Sequence, residues 1–144
     1  MFSKTCEYAI KASIYIASQS LAQKRVGIKD IAQAIESPEA FTGKIMQVLS
    51  KNHIVDSVKG PHGGFEIPES AMKEKKLAEV VRAMDGDDIF KSCGLGLKEC
   101  SGANPCPLHN QFAKIRADIT KLLETTTLYD VATGLADGLT FLKR

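Results

Sequence analysis

The 144-residue chain has no tryptophan, and aromatic residues make up only 6% of it. Its apolar stretches all fall short of the ~18 residues that a bilayer-spanning helix needs, so no membrane span is expected. Charge of one sign is missing too. The 19 basic and 17 acidic side chains leave a net charge of +2. Residues 1–70 carry eight Lys/Arg against seven Asp/Glu, and residues 71–144 carry eleven against ten. There is no charged tail, and bulk charge alone does not point to nucleic acid. Repeats and low-complexity runs are absent, and a chain 44% hydrophobic and 25% charged has the composition of a folded domain. The segment MFSKTCEYAIKAS sets Lys4, Glu7 and Lys11 inside its most apolar part, unlike a signal peptide. A cytoplasmic location follows as the expectation, and with it reduced cysteines.

What is there is mostly helical periodicity. Ile10, Ile14, Ala17 and Leu21, flanked by Tyr8, Ala12 and Tyr15, predict a helix from about Thr5 to Leu21. Ile28, Ile31, Ala32 and Ile35 predict a short second helix, stopped by Ser37-Pro38. Ser37 is then expected to cap a third helix, with Pro38 in its first position. Phe41, Ile45, Val48 and Leu49 form the buried row of that helix, and Thr42, Gly43, Lys44, Gln47 and Lys51 its outer face. Past Asn52, an expected C-cap, the period changes to two. Ile54–Val58 and Phe65–Ile67 read as strands around the turn KGPHGG.

Two short helices followed at once by a glycine-rich hairpin have the layout of a winged helix-turn-helix. A helix that enters the major groove needs small or flexible polar side chains, which Thr42, Gly43, Lys44 and Gln47 supply. A wing needs a cation in a tight turn. Lys59 provides it, with His62 as a weaker second. A solvated polar face on an ordinary α/β domain is the plainer alternative, but the succession of elements favours DNA.

A fourth helix is expected around Leu77, Val80, Val81 and Met84, ended by Asp85-Gly86. From Pro107 to Thr125 a long helix carries Leu108, Phe112, Ile115, Ile119 and Leu122 at steps of four, three, four and three. That mean of 3.5 is the seam of a helix lying along a partner helix. A last helix is expected from Thr127, capped with Asp130, through Val131, Leu135, Leu139 and Leu142.

Between these helices lies Cys93-GLGLKE-Cys100-SGANP-Cys106-PL-His109. Thiolates bind soft metals and iron–sulfur clusters, and the glycines let backbone N–H groups approach cluster sulfurs. His109 is a possible fourth ligand. Gaps of six and five residues match zinc knuckles poorly, although the Cys106–His109 step resembles one. A redox thiol switch and a Cys106/His109 nucleophile pair remain alternatives. Cys6 reads as a small buried hydrophobe, Glu7 as a solvated helix residue and His53 as a surface histidine.

Taken in order, these features resemble the IscR/NsrR-type family of bacterial winged-helix regulators over nearly the whole chain. EYAIKASIYIA is similar to its first helix, GIKDIAQAIESPEAFTGKIMQVLSKNHIVDSVKGPHGGFEI to its reading helices and wing, and LAEVVRAMDG to the helix before its cysteine loop. The resemblance implies a homodimer with crossing long helices. It matches Phe41, Thr42, Gly43 and Lys44 to the base-reading stretch and Lys59 to the basic wing position. Cys93, Cys100 and Cys106 match three cluster ligands. His109 matches the fourth ligand of IscR-like members, and Glu7 the acidic residue other members supply from the partner subunit. This chain has a six-residue first cysteine gap where IscR-like members have five, His53 where glycine is common, and Thr42-Gly43 in place of a Leu-x pair.

The resulting expectation is a mainly α fold with a small β-hairpin. Residues 1–70 would form the winged helix-turn-helix and residues 71–144 the cluster loop (91–109) and dimerisation helices. The protein would be a non-enzymatic, homodimeric transcription regulator binding a near-palindromic DNA site under control of a [2Fe-2S] or [4Fe-4S] cluster. A zinc- or thiol-based regulator on the same scaffold is the alternative, and an iron–sulfur electron carrier without DNA binding a more distant one.

Overall fold

The computed structural model describes residues 1–142. Eight helices and one hairpin follow each other as α1 (Lys4–Leu21), α2 (Ile28–Ile35), α3 (Glu39–Lys51), β1 (Asp56–Val58), β2 (Gly64–Glu66), α4 (Glu69–Glu74), α5 (Leu77–Asp85), α6 (Asp88–Lys91), α7 (His109–Thr125) and α8 (Leu128–Ala136). The fold is the expected one, mainly helical with a small antiparallel hairpin. Among the described residues no helix is long and apolar enough to cross a membrane.

Helix α1 is the axis of the molecule, packed against α2, α3, α5 and α8. Its fully buried face is Ala9, Ala12, Ser13, Ile16 and Ala17, while Tyr8, Ile10, Ile14, Tyr15 and Leu21 flank it half-buried. Of the expected rows, Ala12 and Ala17 lie at the true centre, while their larger members sit to its side. Small residues take the middle because they let several helices approach one axis, and the Ser13 hydroxyl satisfies itself on the Ala9 carbonyl at 2.8 Å. Ser3 caps the helix by accepting from the Cys6 N–H at 3.0 Å. Its own N–H donates to Asp85 at 3.0 Å, which ties α1 to the end of α5.

The junction of α2 and α3 corrects the expected caps. Glu36, left-handed at φ 56°, ends α2 before Ser37-Pro38 is reached, and Pro38 rather than Ser37 is the N-cap of α3. The Ser37 hydroxyl is instead hydrogen-bonded to that of Thr42. Asn52 is the C-cap of α3, as expected, and its amide donates to the Val48 carbonyl at 2.8 Å. His53 then turns the chain at φ 59°. A glycine adopts that region freely, so the residue common at this place in the resembling family has a backbone reason.

The paired strands are shorter than expected, with Asp56 opposite Glu66, Ser57 opposite Phe65 and Val58 opposite Gly64. Ile54 and Val55 enter the core instead, 3% and 2% exposed. Val26, just before α2, adds two hydrogen bonds to Phe65 (3.2 and 2.8 Å) and so anchors the wing to the helix-turn-helix.

Helices α4 and α6 had no clear periodic signal, being only six and four residues long. The Thr127–Asp130 capping box of α8 forms as expected, with reciprocal bonds of 3.0 Å. The helix does not run to Leu142, however. It ends at Ala136, Gly138 turns left-handed at φ 73°, and Leu139 is 77% exposed. Helix α7 packs through Leu123, Ile119 and Phe112, but Leu108, Ile115 and Leu122 remain exposed along the other side of its seam.

Candidate metal centre and DNA-reading face

Residues 92–108 run without regular structure between α6 and α7. Two contacts with α7 shape the run. Gly94 lies so close to the Phe112 ring that a Cβ there would meet it at 2.5 Å. One turn on, the Arg116 guanidinium donates to the Ser92 carbonyl at 3.1 Å. A small turn closed by Ser101 and Asn104 then brings Pro105 and Cys106 back beneath the loop.

The result is convergence. The sulfurs of Cys93, Cys100 and Cys106 all lie within 4.8 Å of one another, and those of Cys93 and Cys106 are 3.8 Å apart. His109, the first residue of α7, sets its Nδ1 3.2 Å from the Cys100 sulfur. Backbone N–H groups supply the surrounding polarity, Leu95 donating to Cys93 at 3.4 Å and Cys106 to Cys100 at 3.3 Å. Hydrogen bonds from the Leu97 and Leu95 N–H groups favour the thiolate of Cys93 and bring its pKa down to about 7. Burial pushes the Cys106 thiol up. Cys6 is elsewhere, fully buried in α1, and its pKa is pushed up to about 12 by desolvation and then by Asp85. It is the inert hydrophobe that was expected.

Three converging thiols, with an imidazole beside Cys100 and N–H groups around them, are a donor set for a soft metal or an iron–sulfur group. The residues present fit such a group. Glu7 is not part of the convergence within this chain; it stands on α1 with its carboxylate 3.4 Å from Lys4.

The expected DNA-facing residues divide. Lys44, Gln47 and Lys51 are exposed along α3, as are Lys59 and His62 in the wing turn. Gly43 is half-buried against Ile28, in a shallow groove between α2 and α3. Thr42 is the correction. It is 0% exposed, and its hydroxyl donates to the Pro38 carbonyl at 2.9 Å. Phe41 also turns partly inward and meets Tyr8 edge-on, centroids 5.7 Å apart and planes at 76°.

Periodicity gave no signal for the wing's supports. Arg25 reaches from the linker to Glu66 at 2.9 Å and to the His62 carbonyl at 3.4 Å. Gly63 has the Val58 carbonyl oxygen only 2.1 Å from where its Cβ would lie, and Gly64 has φ 136°. The support that Phe112 and Arg116 give the cysteine loop likewise has no periodic signal, because contacts made to an irregular segment leave no repeat.

The family model described as Rrf2, iron-dependent transcriptional regulator, matches residues 2–134. The chain belongs to the Rrf2 family. Rrf2 members are transcriptional regulators and not enzymes, so this protein is a transcriptional regulator too. A protein of Aquifex aeolicus, described provisionally as a helix-turn-helix-type transcriptional regulator, is 30% identical over 133 residues, 91% of this chain and 90% of its own. The regulator IscR of Photorhabdus laumondii is 28% identical over 124 residues, 86% of this chain and 74% of its own. Among solved structures, CymR, the global cysteine regulator of B. subtilis, superposes with a TM-score of 0.76 at 22% identity, covering 92% of this chain and 96% of that one. IscR of T. potens gives 0.73 at 21%, covering 97% and 91%. These likenesses carry the winged-helix fold of the Rrf2 family across the chain.

Proposed function

We propose that this Rrf2 regulator is a cytoplasmic homodimer that binds a near-palindromic DNA site. Its affinity would be set by an iron–sulfur cluster held by Cys93, Cys100 and Cys106, with His109 as the fourth ligand. One observation carries the reading: three sulfurs within 4.8 Å of one another, with His109 Nδ1 3.2 Å from one of them. Residues 1–70 read DNA in this account, through Lys44, Gln47 and Lys51 of α3 and through Lys59 and His62 of the wing. Residues 71–144 hold the cluster loop and the dimer contact, for which the exposed Leu108, Ile115 and Leu122 are the apolar surface.

When bound, the group supplies a centre that reacts with oxidants or nitric oxide and is lost when iron is scarce. The chain's own part is mechanical. Cys93 and Cys106 pin the two ends of the loop, and Gly94, Phe112 and Arg116 transmit its order to α7. Helix α7 in turn would fix the spacing of the two reading heads. A loosened loop shifts that population, and ~1.4 kcal/mol of shift is tenfold in affinity.

A second reading has its own support. Two thiolates on one tetrahedral ion at ~2.3 Å stand ~3.8 Å apart, the separation of the Cys93 and Cys106 sulfurs, whether that ion is a lone zinc or one iron of a [2Fe-2S] cluster. A single zinc ion on the same cysteines is therefore a second reading that the separation fits as well as it fits a [2Fe-2S] cluster. Metal and acid-labile sulfide analysis of protein purified without oxygen separates the two. Iron with sulfide, and DNA affinity that changes on its removal, upholds the cluster; stoichiometric zinc without colour replaces it.

A further inference from the structure

The reading helix does not stand alone on its side of the molecule. Phe41 of α3 has the Tyr8 ring of α1 against its edge, and Lys44 follows one turn later on the exposed face. Around that same tyrosine α1 gathers two lysines. Lys4 Nζ lies 5.2 Å and Lys11 Nζ 5.3 Å from the ring centroid. Positions 4, 8 and 11 fall on one face of a helix, so the sequence itself sets the three side chains in a row.

A half-buried tyrosine between two ammonium groups gains some cation–π attraction. The arrangement also concentrates like charge, which needs a counter-charge. Glu7 supplies part of it, 3.4 Å from Lys4. Lys11 makes no ion pair among the described residues, and neither does Lys44. The cationic row thus continues from α1 across Tyr8 and Phe41 to the outer face of α3.

We propose that α1 is a second DNA-contacting element, presenting Lys11 and Lys4 to the phosphate backbone beside the groove that α3 enters. Tyr8 and Phe41 form the aromatic strut that holds this cationic edge at a fixed distance from the reading helix. The proposal deepens the DNA-binding reading above and rests on it. Phosphate contacts carry no sequence information, so α1 sets register and affinity while α3 and the wing select bases.

The test is a salt titration. A fluorescein-labelled mixed-sequence duplex of about three helical turns is bound to the full-length protein, and log affinity is plotted against log salt. Lys11→Gln is expected to weaken binding several-fold and to lower the magnitude of the slope by about 0.9 for each phosphate that is no longer neutralised. Lys4→Gln together with Lys11→Gln lowers it further. Lys73→Gln is the control, because that lysine also sits over a tyrosine (Tyr129, 4.7 Å) on the unrelated α4. Its slope should equal that of the wild type. If wild-type protein binds and all the slopes coincide, the α1 contact is wrong while DNA binding stands. If wild-type protein fails to bind at low salt, the functional reading itself fails and takes this inference with it. A lowered slope for Lys73→Gln as large as for Lys11→Gln also overturns the proposal, since it would report net charge and not a contact.

Discussion

The Nδ1 of His109 stands 3.2 Å from the sulfur of Cys100, although eight residues of glycine- and proline-containing loop separate them. Their meeting depends on where α7 begins, since His109 is its first residue and its N–H is already bonded to the Cys106 carbonyl at 3.1 Å. His109→Ala should therefore reduce metal retention and shift the visible spectrum, with Cys100→Ala abolishing both. His53→Ala, remote in sequence and on the wing side, should change neither. An unchanged spectrum in His109→Ala would remove it as a ligand and make Glu7→Gln the variant expected to lose the metal.

Thiol reactivity in metal-free protein should follow local hydrogen bonding. Cys93, with a pKa of about 7, becomes thiolate as pH rises through neutrality, so its alkylation rate should climb there. Cys106 should titrate later, and Cys6, at about 12 and buried, should label only after unfolding. Mass mapping of iodoacetamide labelling across about pH 5.5 to 9 reads all three. Equal rates at Cys93 and Cys6 would contradict the geometry.

Thr42→Val separates a structural role from a base contact. The valine loses the hydroxyl that bonds Pro38 and Ser37 inside the helix-turn-helix. A cost of about 1–2 kcal/mol is expected, visible as a melting temperature several degrees lower. Sequence preference on DNA should stay as in the wild type. A changed preference without a change in stability would put Thr42 on the DNA after all.

Gly63→Ala should damage the wing and spare the core. The new Cβ would fall 2.1 Å from the Val58 carbonyl oxygen, which the hairpin cannot tolerate without opening. DNA affinity is expected to fall at least several-fold while the melting temperature changes little, because Gly63 lies in the wing turn, outside the core cluster. Loss of stability equal to a core substitution would count against a peripheral wing.

Ile115 and Leu122 leave 53% and 58% of their surface in water, one above the other along α7. If a second copy covers them, Ile115→Glu with Leu122→Glu should yield a monomer by sedimentation with helical content unchanged. DNA affinity should drop sharply, since a single reading head would remain. A double variant that stays dimeric moves the interface elsewhere.

Most of the architecture was legible because period 3.6, period 2 and turn residues are local. Helices α1, α2, α3, α5 and α7, the hairpin at KGPHGG and the Thr127–Asp130 cap all came from spacings of three or four residues and from capping chemistry. The short α4 and α6 lack enough turns to display a period. Helix α8 looked longer than it is because Leu139 and Leu142 continue the spacing, while Gly138 ends the helix by taking a conformation that spacing does not encode.

By itself the sequence determined the helix-helix-hairpin order, the three spaced cysteines and the half-apolar seam of α7. Only the tertiary structure decided which way each ambiguous side chain points. Thr42 turned inward because Pro38 and Ser37 offer its hydroxyl partners there, and Phe41 leans on Tyr8 because α1 crosses beneath α3. The three sulfurs of the candidate centre meet, with His109 beside Cys100, because Phe112 and Arg116 hold an irregular loop against α7. Spacing fixes what one element presents; the contact between two elements depends on distance through space, which no repeat along the chain records.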